Sequence, residues 1–250
     1  MDVIVEWFRW LNDAHQINFT IIYDEYDRGR YLSGLQATLF LSVVTILFSI
    51  VIGLFGAWAQ GARLAPLRWL VYGYIQFFRN TPPLAQVYFF YFGLGAMSFM
   101  PTVTNKFGVA EPLLGSYSWA VISLSFFAGA FNVEIFRSGV EAVPATTVEA
   151  ARSLGYTRLQ TYIYVVLPLA FRICLPALNN NLVNLVKTTA LAYAIAVPEL
   201  LYISNQIWAD EFNVPEMMNV LLFTFVVLVG VLVWIMHRWE RAMRIPGYTA

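Results

Sequence analysis

Charge is what this 250-residue chain has least of. Asp, Glu, Lys and Arg together make up 12% of it, half of the roughly 25% usual in a soluble domain. That shortage excludes a disordered protein and an ordinary cytosolic enzyme. Fifteen basic residues balance fifteen acidic ones, so no net field draws the chain to nucleic acid. Cys174 is the only cysteine, which excludes an intrachain disulfide and a Cys-rich zinc site. The two histidines, His15 and His237, lie at opposite ends, and no cluster of metal-ligating residues occurs. There is no G-x-x-x-x-G-K-[ST], so the chain carries no phosphate loop with which to hydrolyse ATP; G-x-S-x-G and H-E-x-x-H are missing too. What remains is apolar: 59% hydrophobic and 17% aromatic, with a mean hydropathy of +0.63. The composition is that of an all-α integral membrane protein.

A helix needs about 20 mostly apolar residues to cross the hydrocarbon core. Tyr31 to Ala62 contains no charge, and within it residues 35–58 hold fourteen Leu, Ile, Val or Phe. At about −0.3 to −0.6 kcal/mol each near the centre, those residues suffice for insertion. Further spans are expected at about 81–99, 119–138, 188–208 and 217–237, five in all. Residues 1–33 lack a continuous apolar core and begin Met-Asp, so no cleavable leader is expected there. Ile4, Trp7, Phe8, Trp10 and Leu11 are spaced to suit a short interfacial helix in an external segment; a poorly ordered leader is the alternative. Residues 34–250 form the membrane domain.

Positive charge sets the orientation. With the N-terminus outside, external segments hold Arg9, Arg28, Arg30 and Lys106, and internal ones hold Arg63, Arg68, Arg152, Arg158, Arg172, Arg238, Arg241 and Arg244. Eight against four favours N-out, C-in. Residues 139–186 then form a long cytoplasmic loop between spans three and four. Thr146-x-x-Glu149 and Thr157-x-x-Gln160 read as capping boxes, and Gly155 sits where a helix end takes a left-handed residue. The pattern predicts a short helix from Ala145 to Leu154, a sharp turn, and a second helix from Thr157, which Pro168 and Pro176 should kink or interrupt. Ala150, Ala151 and Leu154 place small apolar groups on one face, suited to docking another protein. A hairpin that merely spaces two spans fits the same pattern.

Glu149-Ala150-Ala151-Arg152-Ser153-Leu154-Gly155, followed by Leu167-Pro168, resembles the EAA loop of ABC-importer permeases. Phe78-Arg79-Asn80-Thr81-Pro82, Val133 to Gly139, Leu185 to Leu191, and Trp239-Glu240-Arg241 through Ile245-Pro246-Gly247 are similar to the polar-amino-acid branch of that family. The chain departs from it at Thr146-Thr147, where Gly-Gln is frequent, and at Lys187-Thr188-Thr189-Ala190-Leu191, where Lys-Asp-Thr-Ser-Leu is frequent. The resemblance implies the type I importer permease fold, with the EAA loop as a coupling helix between spans three and four of a bacterial inner-membrane protein. It implies a dimer with a second copy or a paralogue, each EAA loop (Glu149, Ala150, Ala151, Leu154, Gly155) seated on a cytoplasmic ABC ATPase dimer. An external substrate-binding protein would deliver a small polar amino acid. The chain itself would carry no cofactor; ATP and magnesium would belong to the ATPase.

Independently of family, charge inside a span marks a partner or a wet cavity, since it costs about 2.5 to 3.5 kcal/mol at the helix centre. Glu134 lies in the third span beside Asn132. Arg79 precedes Thr81-Pro82-Pro83, a break tolerated only within protein or along a cavity. Arg79 and Glu134 together suit the carboxylate and ammonium of a zwitterion; snorkelling of Arg79 and a structural salt bridge from Glu134, for example to Arg137, are the alternatives. Asn80, Thr81, Gln86, Asn184 and Lys187 complete the candidate path, with Lys187 also readable as a boundary anchor and Glu199, after Pro198, as either gate or kink. The competing functions are an ABC permease for an opine, methionine or oligopeptide, an ion-coupled carrier or channel, and a membrane-embedded enzyme using Glu134.

Overall fold

The computed structural model describes residues 2–97, 101–104 and 110–243. Lys106, Arg244, the Ile245-Pro246-Gly247 segment and the end of the expected second span lie outside them. Two short helices, α1 (Asp2–His15) and α2 (Thr20–Tyr23), lead into α3 (Glu25–Gln60). Next come α4 (Ala65–Asn80) and α5 (Pro83–Tyr88), and a π-helical turn, Phe89–Leu94, extends α5. A small antiparallel hairpin, β1 (Thr102–Thr104) and β2 (Ala110–Pro112), precedes α6 (Ser116–Glu141). Then come α7 (Ala145–Ser153), α8 (Arg158–Thr161), a π-helical turn (Tyr162–Val166) and α9 (Leu167–Thr188), which tightens into a 3₁₀ turn, Thr189–Ile195. α10 (Leu200–Glu211) and α11 (Val214–Met243) finish the described chain.

Among the described residues, four helical stretches have the length and composition to cross a bilayer: α3, α6, Arg158–Ile195 and α11. The spans expected at 35–58, 119–138 and 217–237 fall inside α3, α6 and α11. Two expectations need correction. Residues 81–99 do not form one long helix, because the backbone is extended at Thr81 and restarts at Pro83. From Pro83 to Leu94 it reaches no more than about 18 Å, short of a 30 Å core. Residues 188–208 are also broken. Ala196 takes a left-handed conformation (φ 57°), and Pro198 disfavours helix in the residue before it. Glu199 then caps α10, accepting from the backbone N–H groups of Leu201 at 3.0 Å and Tyr202 at 2.9 Å.

The long apolar stretch instead begins at Arg158, inside the cytoplasmic loop expected over residues 139–186. Neither proline stops it. The π-helical turn shifts the hydrogen-bond register just before Pro168, a local adjustment that re-satisfies freed backbone groups, and α9 continues past Pro176.

Apolar side chains that a soluble protein would bury are exposed along α3 (Phe40, Leu47, Phe48, Phe55, Trp58) and α11 (Phe223, Val226, Trp234). Polar groups are turned inward and satisfied locally. Ser42 donates to Thr38 O at 2.7 Å, Ser49 to Ile46 O at 2.8 Å and Ser204 to Leu200 O at 2.7 Å, the back-bonding that apolar surroundings impose.

The contacts divide the chain into two units. The first comprises 1–44, 84–123 and 186–230, and is built on Tyr31, Leu200, Ile203, Ile207, Met217 and Leu221. Arg30 bridges Asp210 at 2.8 Å and Asp27 at 3.4 Å, and Asn213 donates to Asn18 O at 2.9 Å. The second comprises 45–83, 124–185 and 231–250. Its small clusters centre on Ile75 with Val133, on Phe136 with Leu178 and Leu182, and on Val143 with Val166 and Ala170. Here α3 and α6 nearly touch: a Cβ on Gly53 would lie 2.4 Å from Asn132 Cβ, and one on Gly56 would lie 2.3 Å from Val133 Cγ2. Small residues let apolar helices approach this closely.

Gly53→Val should therefore force α3 and α6 apart. We expect about 2 to 3 kcal/mol of destabilisation, read as a lower thermal midpoint in detergent by fluorescence-detected size exclusion. Gly230→Ala, whose Cβ would meet nothing within 4 Å, should leave the midpoint unchanged or raised.

Candidate functional site

α4 ends at Asn80 with Arg79 in its last turn, and α6 carries Glu134. The Arg79 guanidinium donates directly to the Glu134 carboxylate and lies 5.3 Å over the Phe131 ring. The pair is not closed off: the Arg79 and Glu134 side chains remain 38% and 33% exposed. Arg137, the alternative partner, reaches Glu141 at 3.7 Å instead. Around the break after α4, Asn80 donates to the Gln76 side chain at 2.9 Å, and Thr81 Oγ1 donates to Phe77 O at 2.8 Å, which ties off the helix end.

The remaining path candidates lie elsewhere. Asn132 is fully buried and faces away from Glu134; it donates to Ser49 Oγ at 3.2 Å and accepts from Asn181 Nδ2 at 2.8 Å. Asn181 also donates to Ala128 O at 3.1 Å. These bonds lock α3, α6 and α9 together, so Asn132 is a structural residue rather than part of an open path. Gln86 is buried on α5. Asn184 and Lys187 are exposed on α9, with Lys187 in the last turn, where a cation complements the helix carbonyls. Glu199 is wholly buried as the α10 cap. Asn181 escapes a reading of sequence because the Asn179-Asn180-Asn181 run presents three candidates whose facing only tertiary packing decides.

Two cavities open in the second unit. One, about 410 Å³, is lined by Gln60, Arg68, Trp69, Tyr72 and Arg137. The other, about 340 Å³, is lined by residues including Asn179, Asn180, His237 and Glu240. Neither contains Arg79 or Glu134.

The hairpin of α7 and α8 is the second feature. Pro144 is the N-cap of α7 and offers no side-chain bond, so the capping box expected from Thr146 and Glu149 does not form: Thr146 is already within the first turn. The second box does form. Gln160 N–H donates to Thr157 Oγ1 at 3.3 Å, and Thr157 N–H to Gln160 Oε1 at 2.9 Å. Between them, Gly155 N–H bonds Arg152 O at 3.0 Å and Tyr156 N–H bonds Ala151 O at 3.2 Å, with Gly155 at φ 88°. This is a Schellman turn. Ala151 is buried rather than part of a docking face, whereas Glu149, Ala150, Leu154, Gly155 and the nearby Leu159 stand exposed. Val143, Val166 and Ala170 pack with the half-buried Val148 of α7.

Residues 49–245 match the family described as binding-protein-dependent transport system inner membrane component. The chain is 32% identical over 186 residues to the probable glutamine ABC transporter permease protein GlnM of Bacillus subtilis (strain 168), covering 74% of this chain and 79% of that protein. It is 33% identical over 216 residues to the glutamine transport system permease protein GlnP of Escherichia coli (strain K12), covering 86% and 93%. Its fold is similar to that of an amino acid ABC transporter crystallised with histidines, at a TM-score of 0.74 and 27% identity, covering 86% of this chain and 94% of that one. The chain belongs to the binding-protein-dependent inner-membrane transport components, the non-catalytic transmembrane permease subunits of ABC transporters.

Proposed function

We propose that this permease carries a polar amino acid across a bacterial inner membrane, with its N-terminus outside, in a dimer with a second copy or a paralogue. Membership of the family implies an ATPase and a substrate-binding protein as partners. The observation that carries the substrate class is the half-open Arg79–Glu134 pair. Two charges on a membrane-length helix and its neighbour are tolerable where they face a wet path or another subunit, not acyl chains. A zwitterion can exchange with the pair, its carboxylate taking Arg79 and its ammonium taking Glu134. The glutamine and amino acid transporters among its relatives point the same way.

N-out with C-in requires an odd number of crossings. We assign five: α3, the α4–α5 pair, α6, Arg158–Ile195 and α11. The second is then a discontinuous helix, interrupted at Thr81-Pro82, a form that sets polar sites at membrane depth. Charge supports the orientation. Among the described residues the second unit holds nine basic residues against four acidic ones, and the first holds four against eleven. The exposed hairpin of α7 and α8 is the face for the ATPase. An ATPase that binds one permease conformation more tightly shifts the equilibrium by that difference in affinity.

Purification of the tagged chain in mild detergent with mass spectrometry of co-eluting proteins tests the assembly: a stoichiometric partner bearing a phosphate-loop sequence is expected, and recovery of the chain alone after cross-linking would sink it. Glu134→Gln should cut uptake about tenfold, the loss of roughly 1.5 kcal/mol of charge-assisted bonding, at unchanged assembly. The swap of Arg79→Glu with Glu134→Arg separates roles. If the pair only holds α4 to α6, the swap restores uptake; if it handles substrate, assembly returns and uptake does not. Glu149→Arg and Gly155→Val should leave insertion intact while ATP hydrolysis no longer drives uptake. The Gly155 effect comes from backbone strain, since its Cβ would meet nothing within 4 Å, so Gly155→Asn should be milder.

A further inference from the structure

α1 has three faces. At about 100° per residue, Glu6, Arg9 and Asp13 fall on one, Val5, Phe8 and Asn12 on a second, and Val3, Ile4, Trp7 and Trp10 on a third. The second face is held by the chain: Phe8 meets Phe19 edge-on at 5.7 Å, and Asn12 donates to Tyr23 OH at 3.3 Å. Tyr23 donates in turn to Asn18. The third face stands open, with Val3 79%, Ile4 60%, Trp7 53% and Trp10 54% exposed.

These contacts fix α1 beside residues 19–23, directly before α3. The first turns of α3 carry Glu25, Asp27, Arg28 and Arg30, and its charge-free stretch begins at Tyr31. The open apolar face is thus tied to the level at which α3 passes from charged to uncharged surroundings, the boundary between water and hydrocarbon. Two tryptophans at that level suit the headgroup region, where an amphipathic ring is best placed. The polar face holds two acids and one base, so attraction to anionic lipid does not drive the contact; apolar area does.

We propose that α1 lies in the bilayer surface, with Val3, Ile4, Trp7 and Trp10 inserted at the acyl boundary of the leaflet where α3 begins, and Glu6, Arg9 and Asp13 turned to water. Held so, α1 sets the depth at which α3 enters the membrane. The inference rests on the reading of α3 as a membrane crossing, but its readout is independent of transport.

The test uses the assembled transporter in phosphatidylcholine nanodiscs, on a Cys174→Ser background. A spin label is placed in turn at Trp7→Cys, Trp10→Cys, Glu6→Cys and Asp13→Cys, and its collisions with oxygen and with a water-soluble nickel chelate are compared. The oxygen-to-nickel ratio should be several-fold higher at 7 and 10 than at 6 and 13. Equal ratios at all four sites would put the face in water. Exclusion of both reagents at 7 and 10 would show that a second copy or another protein covers it; either result overturns the proposal. Should the cysteine variants fail to assemble, brominated phosphatidylcholine quenching supplies the second reading: the doubly substituted Trp7→Phe, Trp10→Phe chain should lose a quenchable component of the wild-type emission. No loss overturns the insertion. Lost uptake with the depth profile intact would bear on the transport reading alone.

Discussion

The contact of α3 with α6 governs the interior of the second unit. Gly53 and Gly56 remove the side chains that would hold the two helices apart, and the space is taken by Asn132 and Val133. Once Asn132 faces α3, helix geometry turns Glu134, two residues on, by about 200°. One polar residue is buried among bonds to Ser49 and Asn181; the other is directed to Arg79 and left partly open. A structural polar site and a chargeable one therefore occupy the same two turns of helix without competing. A wider crossing would take Ser49 from the Asn132 amide N–H in an apolar setting, at a cost of about 1 to 3 kcal/mol, while its oxygen kept Asn181.

The hairpin of α7 and α8 is built on a different principle. Nearly all its geometry is local: a proline to start α7, a left-handed glycine to end it, and a reciprocal cap to begin α8. Local bonding frees the outer residues from packing duty, which is why Glu149, Ala150 and Leu154 can stay exposed over a small apolar support.

The same contrast explains what was legible in the sequence. Gly155 and the Thr157–Gln160 box were readable because a few adjacent residues determine them. The spans within α3, α6 and α11 were readable because apolar side chains dominate them over a membrane's thickness. The errors fall where the helices carry more polar residues with tertiary tasks. α4 carries Arg68, Gln76 and Arg79, and α9 carries Arg172, Asn179, Asn180, Asn181 and Lys187. A hydropathy window counts these against a span, although Asn181 is bonded inside the protein. In the reverse direction, residues 188–208 are apolar enough to imitate a span, yet Ala196, Pro198 and the cap at Glu199 break them. Composition reports the solvent a segment tolerates, not the direction of its backbone.

The candidate path shows the limit of the same reasoning most clearly. Asn132 and Glu134 look alike as intramembrane polar residues, and only the facing of α6 separates them. Arg79 and Glu134 are 55 positions apart in sequence, and they meet because α4 packs on α6 through Val71, Ile75 and Val133, one residue from Glu134. The extended break at Thr81 follows directly, so the guanidinium stands beside the carboxylate at the very end of α4. Neither the cavity beside Arg68 and Arg137 nor the one beside Asn179 and His237 takes in the pair. The pair is left partly open on one side, so only a further surface set against α4 and α6 would complete its surroundings.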